Sequence, residues 1–91
     1  MSDFSVSVSV SGNGDVMAAY FKVKAGKHHE TRAVVDGYLM ADYDESGEIL
    51  GVEMIGQCTP QDVEQIDAPE AVKHFVLKAM PQGLVRLKDA A

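Results

Sequence analysis

The segment DYDESGEILGVE, at positions 42–53, follows the residue pattern of a calcium-binding loop. In such a loop the first, third and fifth positions supply oxygen ligands, a glycine at the sixth makes a sharp turn, and a glutamate at the twelfth binds with both oxygens. The corresponding residues are Asp42, Asp44, Ser46, Gly47 and Glu53. The pattern suggests a calcium site, provided that the flanking segments form the two helices that aim these ligands inward.

The flanking segments favour strands over helices. GYLMA and GVEMIG are rich in bulky apolar residues and contain glycines at positions that would weaken a helix. If residues 48–55 are extended, Glu53 lies about five residues past the turn that contains Ser46, which is some 16 Å at roughly 3.3 Å per residue. One cation with ligands at about 2.4 Å cannot bridge that distance. We therefore predict an acidic hairpin turn at 42–48 and keep calcium binding by residues 42–53 as the alternative.

Other residues with reactive side chains lack the spacing of an active site. His28 and His29 are adjacent, so on a strand they would point to opposite faces and could not easily hold one ion. Cys58 has no neighbouring base in the sequence to activate its thiol, and His74 has the spacing of an exposed helix residue. We predict no catalytic residue, no cofactor and no metal site, hence no enzyme, with a hydrolase that uses the acidic residues as a minor alternative.

Composition narrows the class of protein further. The chain has 91 residues, a formal net charge of −6 and one cysteine. Its lysines and arginines are scattered, which is not typical of a nucleic-acid-binding protein, whereas basic protein partners or cations suit an acidic chain. A single cysteine excludes an intrachain disulfide, and no apolar run reaches the roughly 18 residues of a membrane span. We therefore expect a cytoplasmic protein that binds neither nucleic acid nor membrane.

The N-terminal segment gives the clearest prediction of local structure. Apolar residues and serines alternate from Phe4 to Val10, which is typical of a strand with one buried face. Asn13-Gly14 suits a type I′ hairpin turn, in which both central residues need positive φ. With a two-residue turn the apolar residues face one another across the hairpin. The predicted pairs are Val10–Met17, Val8–Ala19, Val6–Phe21 and Phe4–Val23, with Ser9–Ala18, Ser7–Tyr20 and Ser5–Lys22 on the opposite face.

Three more strands are predicted in the middle of the chain, after a polar loop, AGKHHE, at 25–30. They are TRAVV at 31–35, YLMADY at 38–43 and EILGVEMI at 48–55. Asp36-Gly37 forms either a tight turn or a bulge between the first two.

The turn DESG joins the last two strands and leaves two registers open. A bulged loop places Met40 opposite Val52, whereas a two-residue loop places Leu39 there. In both registers one face of the last strand carries Leu50, Val52 and Met54, and the other face carries Ile49, Gly51, Glu53 and Ile55.

Helical patterns begin after Gly56. Thr59 suits an N-cap with Pro60 at the first helical position, and this short helix is expected to stop near Ile66. Asp67, with Glu70 three residues later, forms an acidic variant of the capping box and predicts a second helix over 68–80. Its core-facing stripe is Val72, Phe75, Val76, Ala79 and Met80. Pro81 ends it, GLVRLK at 83–88 predicts a last short strand or turn, and the final DAA is expected to fray.

These elements predict a single α+β domain over residues 1–91. It comprises an antiparallel β-meander of four to five strands at 4–57, one or two helices at 59–80 packed on one face, and a C-terminal tail at 81–91. A core this small favours self-association, which would bury additional apolar surface. An uncovered edge strand would be the natural docking surface, because its free N–H and C=O groups can pair with another strand.

Two segments, GDVMAAYFKV at 14–23 and AVVDGYLMADYDESGEILGVEMI at 33–55, resemble a small bacterial family catalogued as domain of unknown function 2283. The resemblance covers about residues 4–57, departs from the family pattern at 18–21, and does not include the helical third. The residues that match the family pattern are Asp15, Asp42, Asp44, Gly47, Gly51, Val52, Glu53 and Met54.

This resemblance implies a compact, mostly antiparallel β domain without an assigned enzymatic activity, and a role in binding a partner, such as an antitoxin that binds a small toxin. We therefore expect a non-enzymatic protein that acts through protein–protein interaction or self-association, for example as a homodimer.

Overall fold

Five strands and two helices make up the part of the chain that the computed structural model describes, residues 4–85. The elements are β1 Ser5–Val10, β2 Val16–Lys22, β3 Glu30–Val35, β4 Leu39–Tyr43, β5 Ile49–Met54, α1 Pro60–Glu64, α2 Glu70–Ala79 and a 3₁₀ turn at Gln82–Leu84. All strands join one antiparallel sheet in the order β1-β2-β5-β4-β3. The predicted α+β class is confirmed. No helix in residues 4–85 has the length and apolar character needed to cross a membrane.

The sheet combines a hairpin, β1–β2, with a three-stranded meander, β3–β4–β5. They meet where β2 pairs with β5, and there Ala19 faces Met54 and Phe21 faces Val52. All four of these side chains are buried in one hydrophobic core. Because each strand places alternate residues on the same face, this pairing gives the central strands a continuous apolar face.

The β1–β2 hairpin has the predicted register through most of its length, because the apolar alternation permits few other alignments. The confirmed pairs are Ser5–Lys22, Val6–Phe21, Ser7–Tyr20, Val8–Ala19 and Ser9–Ala18.

The turn of this hairpin differs from the predicted type I′ turn. Gly14 has a φ of 93°, whereas no non-glycine residue in the described range has a positive φ, so Asn13 keeps an ordinary conformation. The Gly14 N–H donates a 2.9 Å hydrogen bond to the carbonyl three residues earlier, as in a type I turn followed by a glycine bulge. The bulge shifts the pairing, and Val10 lies opposite Val16 instead of the predicted Met17.

Neither predicted register holds along the whole β4–β5 pair. The pairing skips Leu50, which forms a bulge and shifts the register by one residue. As a result Ala41 lies opposite Val52, and the predictions of Met40 or Leu39 at that position are wrong.

The same bulge decides which side chains of β5 reach the core. Ile49 joins Val52 and Met54 in the main core, whereas Leu50 is buried outside it, against Gly26 of the loop that follows β2. The prediction that Leu50 shares a face with Val52 and Met54 is therefore wrong. A Cβ on Gly26 would lie 2.6 Å from Leu50 Cδ2, so the loop can cover Leu50 because it carries a glycine there.

Tight turns also shape the other connections. Gly37 has a φ of 82°, and the Tyr38 N–H donates a 2.9 Å hydrogen bond to the Val35 carbonyl, which makes Asp36-Gly37 a tight turn. The β3–β4 pairing also contains an irregularity between Ala33 and Val35, which lies before these two residues, so of the two predicted alternatives for Asp36-Gly37 the tight turn is the one present.

Helix α1 begins as predicted. The side chain of Thr59 accepts a hydrogen bond from the Asp62 N–H at 3.2 Å, and the Asp62 carboxylate accepts one from the Thr59 N–H at 2.9 Å. This reciprocal capping box, with Pro60 in the first turn, satisfies N–H groups that have no partner inside the helix.

Helix α2 begins later than predicted, at Glu70, and its N-cap is Pro69. The predicted N-cap role of Asp67 and its acidic capping box with Glu70 are therefore wrong, since no side chain caps this helix. The reason is local, because a residue that precedes proline, here Ala68, is sterically disfavoured in the helical conformation.

The predicted apolar stripe of α2 does face the sheet. Val72 and Val76 are buried in the core, with Phe75, Ala79 and Met80 packed half-buried against it. Beyond the helix, Val85 forms a parallel bridge with Cys58. Residues 86–88 of the predicted last strand and the frayed end predicted at 89–91 lie outside the described residues.

Candidate functional site

Edge strand β1 exposes its apolar side chains to solvent. Val6, Val8 and Val10 keep 39%, 44% and 57% of their surface accessible. The prediction that this alternation buries one face of β1 is therefore wrong, although the strand itself is where the sequence predicts it. The valines lie on the same side of the sheet as the core, next to the buried Ala19 and Phe21.

The helical layer is too narrow to cover β1. Phe75 of α2 stacks on Phe4, with ring centroids 4.6 Å apart, and meets Phe21 edge-on at 6.0 Å. At the other end of the sheet, the 3₁₀ turn reaches β2, where a Cβ on Gly83 would lie 3.2 Å from Val16 Cβ. These contacts cover β2 and Phe4, the residue before β1. The helical layer does not reach the three valines of β1, which stay exposed.

The backbone of β1 is also available for pairing. The sheet order places β1 at one edge, and within residues 4–85 no strand pairs with its outer side. Every second residue of such a strand directs its N–H and C=O groups away from the sheet. The strand contains only serines and valines, so it lacks the charged or proline residues that protect many natural edges.

The opposite edge, β3, is protected in that way. Arg32 and Glu30 form an ion pair at 3.0 Å on this strand, and the Arg32 guanidinium lies 4.3 Å from the centre of the Tyr43 ring. A partner strand at β3 would have to displace or desolvate these charges, which disfavours pairing there. The two edges therefore differ in chemistry, and β1 is the one open to docking.

The predicted acidic turn is present and is held by Asp44. Its Oδ1 accepts hydrogen bonds from the Ser46 N–H, the Ser46 hydroxyl and the Glu48 N–H at 2.8–2.9 Å. These bonds, the one from the Ser46 hydroxyl first, lower the pKa of Asp44 to about 2. Lys24 pairs with Asp44 Oδ2 at 3.2 Å and with Glu48, so the turn is also tied to the loop after β2.

The proposed calcium ligands do not converge around a common point in this hairpin. The segment after Gly47 leaves as strand β5, as predicted, and Glu53 lies opposite Met40 in the β4–β5 pairing. Asp42 faces Gly51 on the sheet, and its carboxylate accepts hydrogen bonds from side chains of β2 and β3. Among the residues described, no three His, Cys, Asp or Glu side chains are grouped so that they could hold a metal ion.

A polar network lies on the sheet face opposite the helices. Asp42 accepts hydrogen bonds from the Thr31 hydroxyl at 2.6 Å and the Tyr20 hydroxyl at 3.3 Å, and His28 Nε2 lies 2.7 Å from Thr31 Oγ1. Partial burial, and next the nearby Asp42 carboxylate, raise the pKa of Tyr20. This network joins β2, β3 and β4 through long-range contacts, so no sequence motif could have revealed it. Its side chains bond one another and stabilise the open face.

The other residues with reactive side chains do not form a site with one another. Cys58 is fully buried in the core, with its thiol 3.4 Å from the Gly56 carbonyl oxygen. His29 and His74 are exposed, on the loop before β3 and on α2 respectively.

Comparisons of this chain with protein-family models, curated protein sequences and solved structures found no significant match. The resemblance to domain of unknown function 2283 therefore stays a prediction.

Proposed function

We propose that this protein is a non-enzymatic docking module that binds a protein strand along the outer edge of β1. The observation that carries the proposal is the exposure of three valines on a neutral strand at the edge of the sheet. A partner strand would pair with the free backbone groups of β1, and its side chains would cover the valines. Backbone pairing provides affinity, and the alternating apolar side chains provide the register.

Two features support docking at β1 over chemistry elsewhere. The polar residues of the open face form a network among themselves, and Asp44 is engaged by the backbone of its own turn. In contrast, folding of the chain leaves the valines and the outer backbone groups of β1 exposed, and binding of a partner would bury them. The partner is either another protein or a second copy of this chain, and in keeping with the single cysteine we propose a cytoplasmic setting.

The test is an affinity purification from the native cell with three tagged proteins: wild type, Val8→Lys and Ile55→Lys. Val8 and Ile55 are matched, because each is 44% exposed, and Ile55 directly follows central strand β5, which β2 separates from β1. A lysine at position 8 would place a charge within the proposed interface, whereas one at position 55 would not.

We expect a partner protein that the wild type and Ile55→Lys retain and that Val8→Lys does not retain. An untagged copy of the chain itself counts as such a partner. A small basic toxin in that set would agree with the antitoxin role that the family resemblance implies. If Val8→Lys retains the same proteins as the wild type, the proposal that β1 is the docking element is wrong.

A further inference from the structure

We propose that the strand that docks on β1 is β1 of a second copy, paired antiparallel about a twofold axis with Val8 facing Val8. This inference rests on the proposed docking function of β1 and names its occupant. The two five-stranded sheets would become one continuous sheet, with a helical layer on the same side at each end. Closed twofold pairing of this kind buries both exposed edges at once.

The sequence of β1 complements itself in this arrangement. Strict alternation of serine and valine means that an antiparallel copy can place valine opposite valine along the whole strand. Valines of both copies then lie on one side of the joint sheet and serines on the other. A shift by one residue would oppose valine to serine and direct the two helical layers to opposite sides. Pairing valine with valine is favoured because it buries all of the exposed valines together.

Val8 is the residue that this pairing places on the twofold axis. Val6 then faces Val10 of the second copy, so the three exposed valines of each copy are matched. A register centred on Ser7 would instead set Val10 opposite Phe4, whose ring already stacks on Phe75. The register centred on Val8 leaves that stacking unchanged.

Charge complements the same register. Lys22 lies beside Ser5 at one end of the hairpin, and Asp15 lies beside Ser11 at the other. Antiparallel pairing centred on Val8 places Ser5 opposite Ser11 of the second copy. Each Lys22 therefore lies in the same cross-strand row as Asp15 of its partner, three strand spacings or about 14 Å away, and the twofold axis repeats this weak long-range attraction at both ends. The chain as a whole is acidic, but the strand that forms the contact is neutral.

The first test is sedimentation velocity of the purified full chain from low micromolar to near-millimolar concentration. The wild type should show a concentration-dependent dimer. Val8→Lys should raise the dimer dissociation constant at least about 100-fold, because two like charges would face each other on the axis. Ile55→Lys should stay within about threefold of the wild type, as for an ordinary surface substitution. Circular dichroism melts of both variants establish that each is folded.

A cross-linking test reads the register directly. Facing Cβ atoms across a sheet are about 5 Å apart, within reach of a short bifunctional maleimide. Val8→Cys should form cross-linked dimers, because its thiol would meet its own copy on the axis. Ser5→Cys should not, since the two Ser5 positions lie at opposite ends of the paired strands. The wild type is the background control, because its one cysteine, Cys58, is fully buried.

Three outcomes would overturn this inference. They are a wild type that stays monomeric at every concentration, a dimer that Val8→Lys leaves intact, and cross-linking at Ser5→Cys without cross-linking at Val8→Cys. The affinity purification separates these failures from failure of the proposed function. If the wild type retains a protein other than a second copy of this chain, and Val8→Lys does not retain it, β1 is a docking strand but does not pair with itself.

Discussion

The ring of Tyr20 fills the space above the backbone of Gly51 on the open face of the sheet. A Cβ added at Gly51 would lie 2.5 Å from Tyr20 Cζ, closer still to the hydroxyl oxygen, and 3.0 Å from the carbonyl oxygen of Phe21. The glycine therefore lets Tyr20 cross from β2 over β5 and donate its hydroxyl to Asp42 on β4. One missing side chain thus permits a contact that joins three strands.

Gly51→Ala should destabilise the protein by about 1–3 kcal/mol, the usual cost of overpacking a filled site. Urea denaturation in the wild-type and Tyr20→Ala backgrounds measures how much of this cost comes from Tyr20. We expect Gly51→Ala to cost at least about 1 kcal/mol less when Tyr20 is absent, because the two sites are in contact. An equal cost in both backgrounds would show that the Phe21 carbonyl, and not the tyrosine, excludes a side chain at this position.

Asp44 should make stability fall as the pH falls from about 4 to about 2. Its pKa in the folded chain is lowered from 3.8 to about 2, so the folded state binds the proton more weakly than the unfolded state. The stabilising contribution is therefore complete above pH 4 and is lost as the pH falls through the folded pKa. Asp44→Asn keeps an oxygen acceptor for the turn but does not titrate. Urea unfolding across this range should give a flatter pH profile for Asp44→Asn, and parallel profiles would contradict the assignment.

Val76→Asp should abolish cooperative unfolding, because it places a charge at a fully buried position of α2 that faces the sheet. The expected cost exceeds about 4 kcal/mol, a large share of the stability of a small domain. Val8→Asp is the matched control at an exposed valine, and it should change stability by no more than about 1 kcal/mol. Thermal melts at low protein concentration compare the two. A cooperative melt of Val76→Asp resembling the wild type would refute the packing of α2 described above.

Thr59→Ala should cost about 1 kcal/mol, because it removes the side-chain acceptor of the capping box at the start of α1. Thr59→Ser keeps the hydroxyl, and its free energy of unfolding should differ from the wild type by only about 0.3 kcal/mol. Chemical denaturation of both variants measures the difference. Equal losses in the two variants would indicate that the methyl group of Thr59, and not its hydroxyl, supports the helix.

Local patterns in the sequence were sufficient to predict the elements. The β1–β2 register from Ser5 to Ser9 follows from alternation, and the Thr59 cap follows from a hydroxyl residue directly before a proline at the first helical position. Errors occur where one residue changes the geometry of its neighbours. The bulge at Leu50 shifts the β4–β5 register, and Pro69 moves the start of α2 away from Asp67. Both effects depend on backbone conformations that periodicity does not encode.

The candidate site was harder to predict than the fold. Alternation indicates that one face of β1 is apolar, but it does not indicate whether a helix covers that face. Coverage depends on the length of α2 and on where the Phe4–Phe75 stacking fixes it, and both are properties of tertiary packing. The sequence pointed to an edge strand as a docking surface. The valines of β1 are exposed in the structure, and for that reason we propose β1 as the docking strand.

Calcium should leave the thermal stability of the protein unchanged, in spite of the calcium-loop pattern at 42–53. Asp44 Oδ1 is saturated by donors of its own turn and Oδ2 pairs with Lys24, so an ion would have to displace bonds that already stabilise the hairpin. Glu53 is held on β5 opposite Met40 and cannot return to the turn without breaking the sheet. Scanning calorimetry with calcium from micromolar to millimolar tests this expectation, with Asp44→Ala and, as the control in the β1–β2 turn, Asp15→Ala. A submillimolar affinity that is lost in Asp44→Ala and kept in Asp15→Ala would instead establish an ion site at this turn.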